Sequence, residues 1–131
     1  MTKLCVAGIG GRMGQAIINE IAFRGFQLTG AVEADNSPYL GKNLRELGLL
    51  DSNIIVTGPD GISKAAKDAD VYLTFTTPEA ELQNIPTIVD LGKKIVLGTT
   101  GFTQIQSEKL KKIVLNKVPA VFSPNFSVGI T

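Results

Sequence analysis

The sequence predicts an α/β fold, a doubly wound parallel sheet with helices on both faces, and three observations carry that reading. Short apolar runs alternate with stretches of helical periodicity along the chain, the pattern of parallel strands joined by crossover helices. Four glycines, Gly8, Gly10, Gly11 and Gly14, crowd between the first apolar run and the first helical one. Glu33 closes the second apolar run, 19 residues beyond Gly14.

The elements follow in order. Residues 3–9, "KLCVAGI", read as a buried strand. Residues 12–24 carry Met13, Ile17, Ile18, Ile21 and Ala22 at helical spacing, and Gly25 ends that helix. Residues 27–33 form a second strand, and 34–43, rich in turn residues, a loop. A short strand at 53–58 leads into a short helix at 59–69 and a strand at 70–76. Thr77-Pro78-Glu79 is a helix start, with a hydroxyl cap, a proline at the first position and an acid in the first turn. The helix it opens extends to about Leu91, and Pro86 predicts a kink or a break within it. Residues 93–98 read as a strand, 103–117 as an amphipathic helix and 119–123 as the last strand. No repeat or linker divides the chain, so residues 1–131 read as one domain. Its end at "NFSVGIT", with no helix after the last strand, reads as a cut through a larger protein.

Composition narrows the function. The chain is 44% apolar and 19% charged, the balance of a globular domain with a single core. A net charge of +1 implies no bulk attraction to nucleic acid or to an anionic membrane. The densest basic stretch, residues 109–112, reads as a solvated helix face. Histidine is absent, which excludes histidine catalysis and histidine-ligated metal within this chain. The single cysteine, Cys5, sits in the first apolar run. It cannot form an internal disulfide or a cysteine-rich metal site and reads as a small core residue. No metal site is expected. No apolar stretch approaches the roughly 18 residues of a membrane span, and the N-terminus reads as a strand rather than an export signal. The expected setting is cytoplasmic.

In a doubly wound sheet, ligands bind beyond the carboxyl ends of the strands, where the glycine loop falls. Glycine lets a phosphate approach the backbone, and the following helix offers free N–H groups and a positive dipole end. The spacing Gly8-x-x-Gly11-x-x-Gly14, with Gly10 inserted, is a variant of the Rossmann G-x-G-x-x-G fingerprint. No Gly-Lys-Ser/Thr follows to make it a P-loop. Taken singly, the glycines also suit a tight strand-to-helix turn, and Glu33 a solvated strand end. Together they favour dinucleotide binding, with Glu33 on the adenosine ribose hydroxyls. A carboxylate there repels a 2′-phosphate, and Ala34, Asp35 and Asn36 supply no cation. NADH is therefore expected to be preferred over NADPH. Arg12, which opens the helix, is the residue placed to reach a phosphate from the other side.

Three more stretches, "TFTTPE" (74–79), "GTTGF" (98–102) and "SPNFSVG" (123–129), each fall just past an expected strand, on the same sheet edge as the glycine loop. Together with "GIGGRMG" (8–14), in this order and spacing, they resemble the dihydrodipicolinate reductase family over residues 6–130. The resemblance implies a Rossmann-like, nicotinamide-dependent reductase of bacterial lysine and diaminopimelate synthesis. It implies that Gly8, Ile9, Gly10, Gly11, Arg12 and Met13 bind the pyrophosphate, with Gly14 completing the loop, and that Glu33 binds the adenosine ribose. Gly98, Thr99 and Thr100 would lie near the nicotinamide, and Ser123, Pro124, Asn125 and Phe126 would contact the cofactor. Phe75 joins this set, although its spacing alone reads as packing. Residues 98–101 read equally well, on their own, as a turn capping the next helix.

The chain departs from the family pattern in two places. Ala34 stands where the family has a basic neighbour for NADP, and Thr131 where it usually has asparagine. The family carries its proton donor and its dicarboxylate-binding groups in a second domain, which this chain lacks. No catalytic residue is therefore expected here, a small dicarboxylate substrate is expected only with that domain, and the full-length family implies a homotetramer. Three readings stay open: the cofactor domain of such a reductase, the NAD-binding domain of another dehydrogenase, and a stand-alone, non-enzymatic dinucleotide-binding module.

Overall fold

A computed structural model of the chain describes residues 1–21 and 23–122. Ser123, Pro124, Asn125 and Phe126 lie outside the described residues. The strands are β1 (Lys3–Ala7), β2 (Gln27–Val32), β3 (Val56–Thr57), β4 (Val71–Thr74), β5 (Lys94–Leu97) and β6 (Ala120–Phe122). The helices are α1 (Arg12–Ile21), α2 (Ile62–Ala66), α3 (Pro78–Asp90) and α4 (Gln104–Val114). The strands form one parallel sheet in the order β3-β2-β1-β4-β5-β6, the doubly wound architecture that the alternation predicts.

The order reverses direction at β1. Right-handed crossovers then put α1 on one face and α2, α3 and α4 on the other. The core divides accordingly. Leu4, Val6, Ile18, Ile21, Leu28 and Ala31 pack together on the α1 face, with Leu44 from the β2–β3 connection. Cys5, Ala7, Tyr72, Ile95 and Leu97 pack with Ile62, Ile85, Ile88 and Leu110 on the other. Cys5 is fully buried, as expected of a core residue, and burial pushes its thiol up to about 12, which leaves it inert.

Two elements differ from the sequence reading. The strand expected at 53–58 shrinks to β3, because the residues before it pair elsewhere. Asn43 and Ile55 form an antiparallel bridge, and Leu44 N–H donates to the Ile54 carbonyl at 3.1 Å. The second difference is a correction: Pro86 does not break its helix, for α3 runs continuously from Pro78 to Asp90. An interior proline costs about 3 kcal/mol through a lost hydrogen bond and a ring clash. Breaking α3 there would strip Ile85 and Ile88, both fully buried, at roughly 1.5–3 kcal/mol each. Burial matches or exceeds the proline penalty, and the helix persists.

Candidate functional site

The reversal at β1 opens a crevice at the carboxyl ends of β1 and β4, the position where doubly wound sheets hold their ligands. A cavity of about 680 Å³ lies there, within the range of small-molecule and cofactor sites. Gly8 and Gly11 line it after β1, and Glu33, Asp35 and Asn36 line it after β2. Phe75, Thr76 and Thr77 come from the β4–α3 loop, and Glu79, Ala80, Gln83 and Asn84 from α3 itself.

The loop after β1 depends on glycine. Gly8 adopts φ +87°, and a Cβ there would overlap the Phe75 carbonyl. Its N–H donates to the Val32 carbonyl at 2.9 Å, tying the loop to the end of β2. Gly14 is buried in the first turn of α1, and a Cβ on it would overlap the Gly8 carbonyl. Helix and loop therefore touch backbone to backbone. Gly11 is different, since a Cβ there would meet only the Gly8 oxygen at 3.6 Å, an ordinary contact. Internal packing therefore does not require a glycine there, and the position faces the cavity. The first turn of α1 adds N–H groups and a positive dipole end suited to an anion.

Glu33 sits where β2 meets this loop. Its Oε2 accepts from Gly10 N–H at 2.6 Å and its Oε1 from Ala34 N–H at 3.0 Å. Each oxygen keeps a further lone pair for a ligand hydroxyl. The Tyr39 ring lies against Gly10, where a Cβ would come within 2.9 Å of both Tyr39 Cδ2 and Glu33 Oε2. With Asp35 and Glu79 on the same cavity, the side chains around it are acidic. The features there suited to an anion are the N–H groups at the start of α1; Arg12 is exposed at that helix start and does not line the cavity.

On the other side, two loops are locked together. Thr77 caps α3 by accepting from Ala80 N–H at 3.2 Å. Thr99, 4% exposed, accepts from Thr76 N–H at 2.7 Å and donates to Glu81 Oε2 at 2.6 Å. Thr74 donates to the same carboxyl at 3.0 Å. Glu81 is fully buried in α3. Burial pushes its carboxyl up to about 7 against the lowering effect of the threonine hydrogen bonds.

The fold thus gathers Gly8, Gly11, Glu33 and Phe75 on one cavity. Gly10, Gly14 and Thr99 stand behind that wall as supports. Ile9 is fully buried in the α1-face core, so its backbone alone is available to a ligand. Met13 and Thr100 are exposed and do not line the cavity. Gly98 packs against the Phe75 ring, which a Cβ would overlap, so that Phe75 bridges the two loops. Spacing alone did not reveal Asn84, Gln83 or Glu81, because a helix pattern does not say which face meets a crevice. Among the described residues, no cluster of histidine, cysteine or carboxylate side chains could hold a metal ion, and no helix is long and apolar enough to cross a membrane.

Strand order, a glycine-dependent loop running into a helix, and an acid closing β2 define a Rossmann-type α/β domain. A family model described as "Dihydrodipicolinate reductase, N-terminus" matches residues 2–126, and the chain belongs to that family. It is 35% identical over 129 residues to the 4-hydroxy-tetrahydrodipicolinate reductase of Acinetobacter baylyi, covering 98% of this chain and 46% of the relative. The enzyme of the same name from Anaeromyxobacter dehalogenans is 38% identical over 131 residues, at 99% and 48% coverage. The chain therefore spans about half the length of the curated relatives it matches. Among solved structures, a dipicolinate-bound dihydrodipicolinate reductase from Paenisporosarcina sp. TG-14 matches with TM-score 0.65 and 24% identity, over 98% of this chain and 49% of that one. An oxidoreductase from Sinorhizobium meliloti matches with TM-score 0.74 and 16% identity, over 96% of this chain and 37% of that one. These two likenesses speak to the fold.

Proposed function

We propose that this chain is the cofactor half of a 4-hydroxy-tetrahydrodipicolinate reductase and that it binds NADH in preference to NADPH. The observation that carries the reading is the cavity at the sheet's switch point, with a glycine-dependent loop on one side and Glu33 on the other. The residues fit a dinucleotide. Gly8, Gly11 and the α1 N-terminus hold the pyrophosphate, with Arg12 alongside and Gly10 and Gly14 supporting the loop, and Glu33 accepts from the adenosine ribose. Phe75 and residues 98–100 flank the nicotinamide end, and Ser123, Pro124, Asn125 and Phe126 complete it. When bound, the reduced nicotinamide supplies a hydride. The chain's own residues orient the ring and shield one side of it from water. The groups that bind the dicarboxylate and donate a proton belong to another part of the whole protein, a cytoplasmic homotetramer in this reading.

The preference for NADH rests on charge. A 2′-phosphate would approach Glu33 and Asp35, with Ala34 and Asn36 offering no compensation. Side-by-side titrations are expected to give NADPH binding about tenfold weaker, roughly 1.4 kcal/mol. Equal or tighter NADPH binding would refute the preference. A thermal melt tests the site itself. NADH at a hundredfold excess over Kd adds about 2.7 kcal/mol to the folded state, a rise of roughly 5–10 °C. A cooperative melt that neither cofactor moves would refute dinucleotide binding by this chain.

A further inference from the structure

Glu81 is buried in the wall of the proposed site, with no ion pair among the described residues. Its neighbours on α3, Ala80, Gln83 and Asn84, line the cavity, while its own carboxyl points into the protein and takes hydrogen bonds from Thr74 and Thr99. Through Thr99 it reaches Thr76 N–H, and Thr76 lines the cavity. The carboxyl thus lies one side chain behind the surface that a ligand would cover, and it joins the β4–α3 loop to the β5–α4 loop.

Among the described residues, what favours its charged form is hydrogen bonding from threonines. From β4 the facing titratable group is Tyr72, and from β1 Cys5. Burial holds both neutral at physiological pH. On α3 itself Glu79 is exposed. The lysines of the flanking helices and of the turn after α2, Lys64, Lys67, Lys109 and Lys112, lie at the surface, and Lys111 is half-buried. The hydroxyls of Thr74 and Thr99 hold the ionised form.

We propose that Glu81 couples dinucleotide binding to uptake of a proton from solvent. The inference rests on the dinucleotide reading above. A bound pyrophosphate brings two negative charges to this crevice and expels water from it. Both effects disfavour a second anion behind the wall and draw a proton onto Glu81. The proton comes from the buffer, and no other bond changes. Glu81 touches no ligand atom. It is a positioning residue that sets the protonation and spacing of the two loops through Thr99.

The chain contains no histidine, so a proton taken up near neutral pH has few other destinations. Calorimetric titration of the full chain with NADH, at pH 7 in buffers of different ionisation enthalpy, counts that proton. NADH is the suitable probe because the 2′-phosphate of NADPH itself titrates near pH 6. For a carboxyl half-protonated at pH 7 and raised by about one unit on binding, uptake of roughly 0.4 proton per NADH is expected. Affinity is then expected to weaken about fivefold from pH 6 to pH 8. Glu81→Gln is expected to bind NADH without proton uptake and without that slope. Clear binding heat with no uptake in the unaltered chain, or uptake retained in Glu81→Gln, would overturn the proposal while leaving dinucleotide binding intact. No NADH binding by the unaltered chain would overturn both. If Glu81→Gln does not melt cooperatively, carbon-13 titration of the Glu81 carboxyl with and without NADH decides. A raised midpoint in the complex supports the coupling, and an unchanged one overturns it.

Discussion

Gly8 and Gly11 stand three residues apart in one loop and are bare for different reasons, which gives a test at single-residue resolution. Gly8→Ala must accept a left-handed backbone and a collision with the Phe75 carbonyl. It is expected to cost more than about 2 kcal/mol of stability, read from denaturant unfolding. Gly11→Ala meets no collision and no positive φ, so its stability is expected to change by less than about 1 kcal/mol. It should nonetheless weaken NADH binding, because its methyl group enters the cavity. Normal binding by Gly11→Ala would mean that no phosphate approaches there. These glycines and Glu33 were legible in the sequence because their signal is local spacing. Glu81 and Asn84 were not, because what distinguishes them is the direction a helix face takes after packing. The same limit applied to Thr99, whose hydroxyl turns inward to Glu81, a partner 18 residues away in sequence.

At the scale of elements, α3 and α4 illustrate how local signals were weighed. Thr77 caps as its sequence suggests, and Thr103, read as the first residue of a helix, proves to be the cap of α4. Thr103 forms a complete capping box with Gln106, each side chain bonded to the other's backbone N–H. Thr103→Ala is expected to cost about 1 kcal/mol, seen as a lowered unfolding midpoint without loss of cofactor affinity. Of the kink or break that Pro86 suggests, the break does not occur, because a proline's local penalty is visible in sequence, whereas the burial of Ile85 and Ile88 that offsets it is a tertiary property. That account predicts a latent gain. Pro86→Ala restores a donor to the Leu82 carbonyl and removes the ring clash, and is expected to stabilise the protein by about 1–2 kcal/mol, less than the full helix penalty because the unfolded chain also gains freedom. An unchanged or lowered midpoint in urea would show that the half-buried proline ring contributes packing that outweighs the missing hydrogen bond.

At the scale of the whole molecule, strand alternation was enough to give the doubly wound sheet, whereas the strand order with its reversal at β1 is seen only in the fold. A pH dependence of folding is expected that composition does not show, because it rests on one carboxyl sealed between α3 and the sheet. Glu81 has an ordinary value of 4.5 when free and about 7 in the fold, so the folded state holds its proton more tightly than the unfolded chain. Its contribution is fully present below about pH 4.5 and is lost as pH rises through about 7. Cys5 and Tyr72 titrate above this window, and no histidine titrates inside it. Urea unfolding at pH 5, 6, 7 and 8 is therefore expected to show stability falling with pH, by an amount on the order of 3 kcal/mol across the window. Glu81→Gln, which cannot ionise, is expected to flatten that dependence, and its stability should overtake that of the unaltered chain toward pH 8 if the amide keeps the bonds to Thr74 and Thr99. Parallel profiles for the two proteins would show that Glu81 folds as readily charged as neutral, and that the threonine hydroxyls fully compensate its burial.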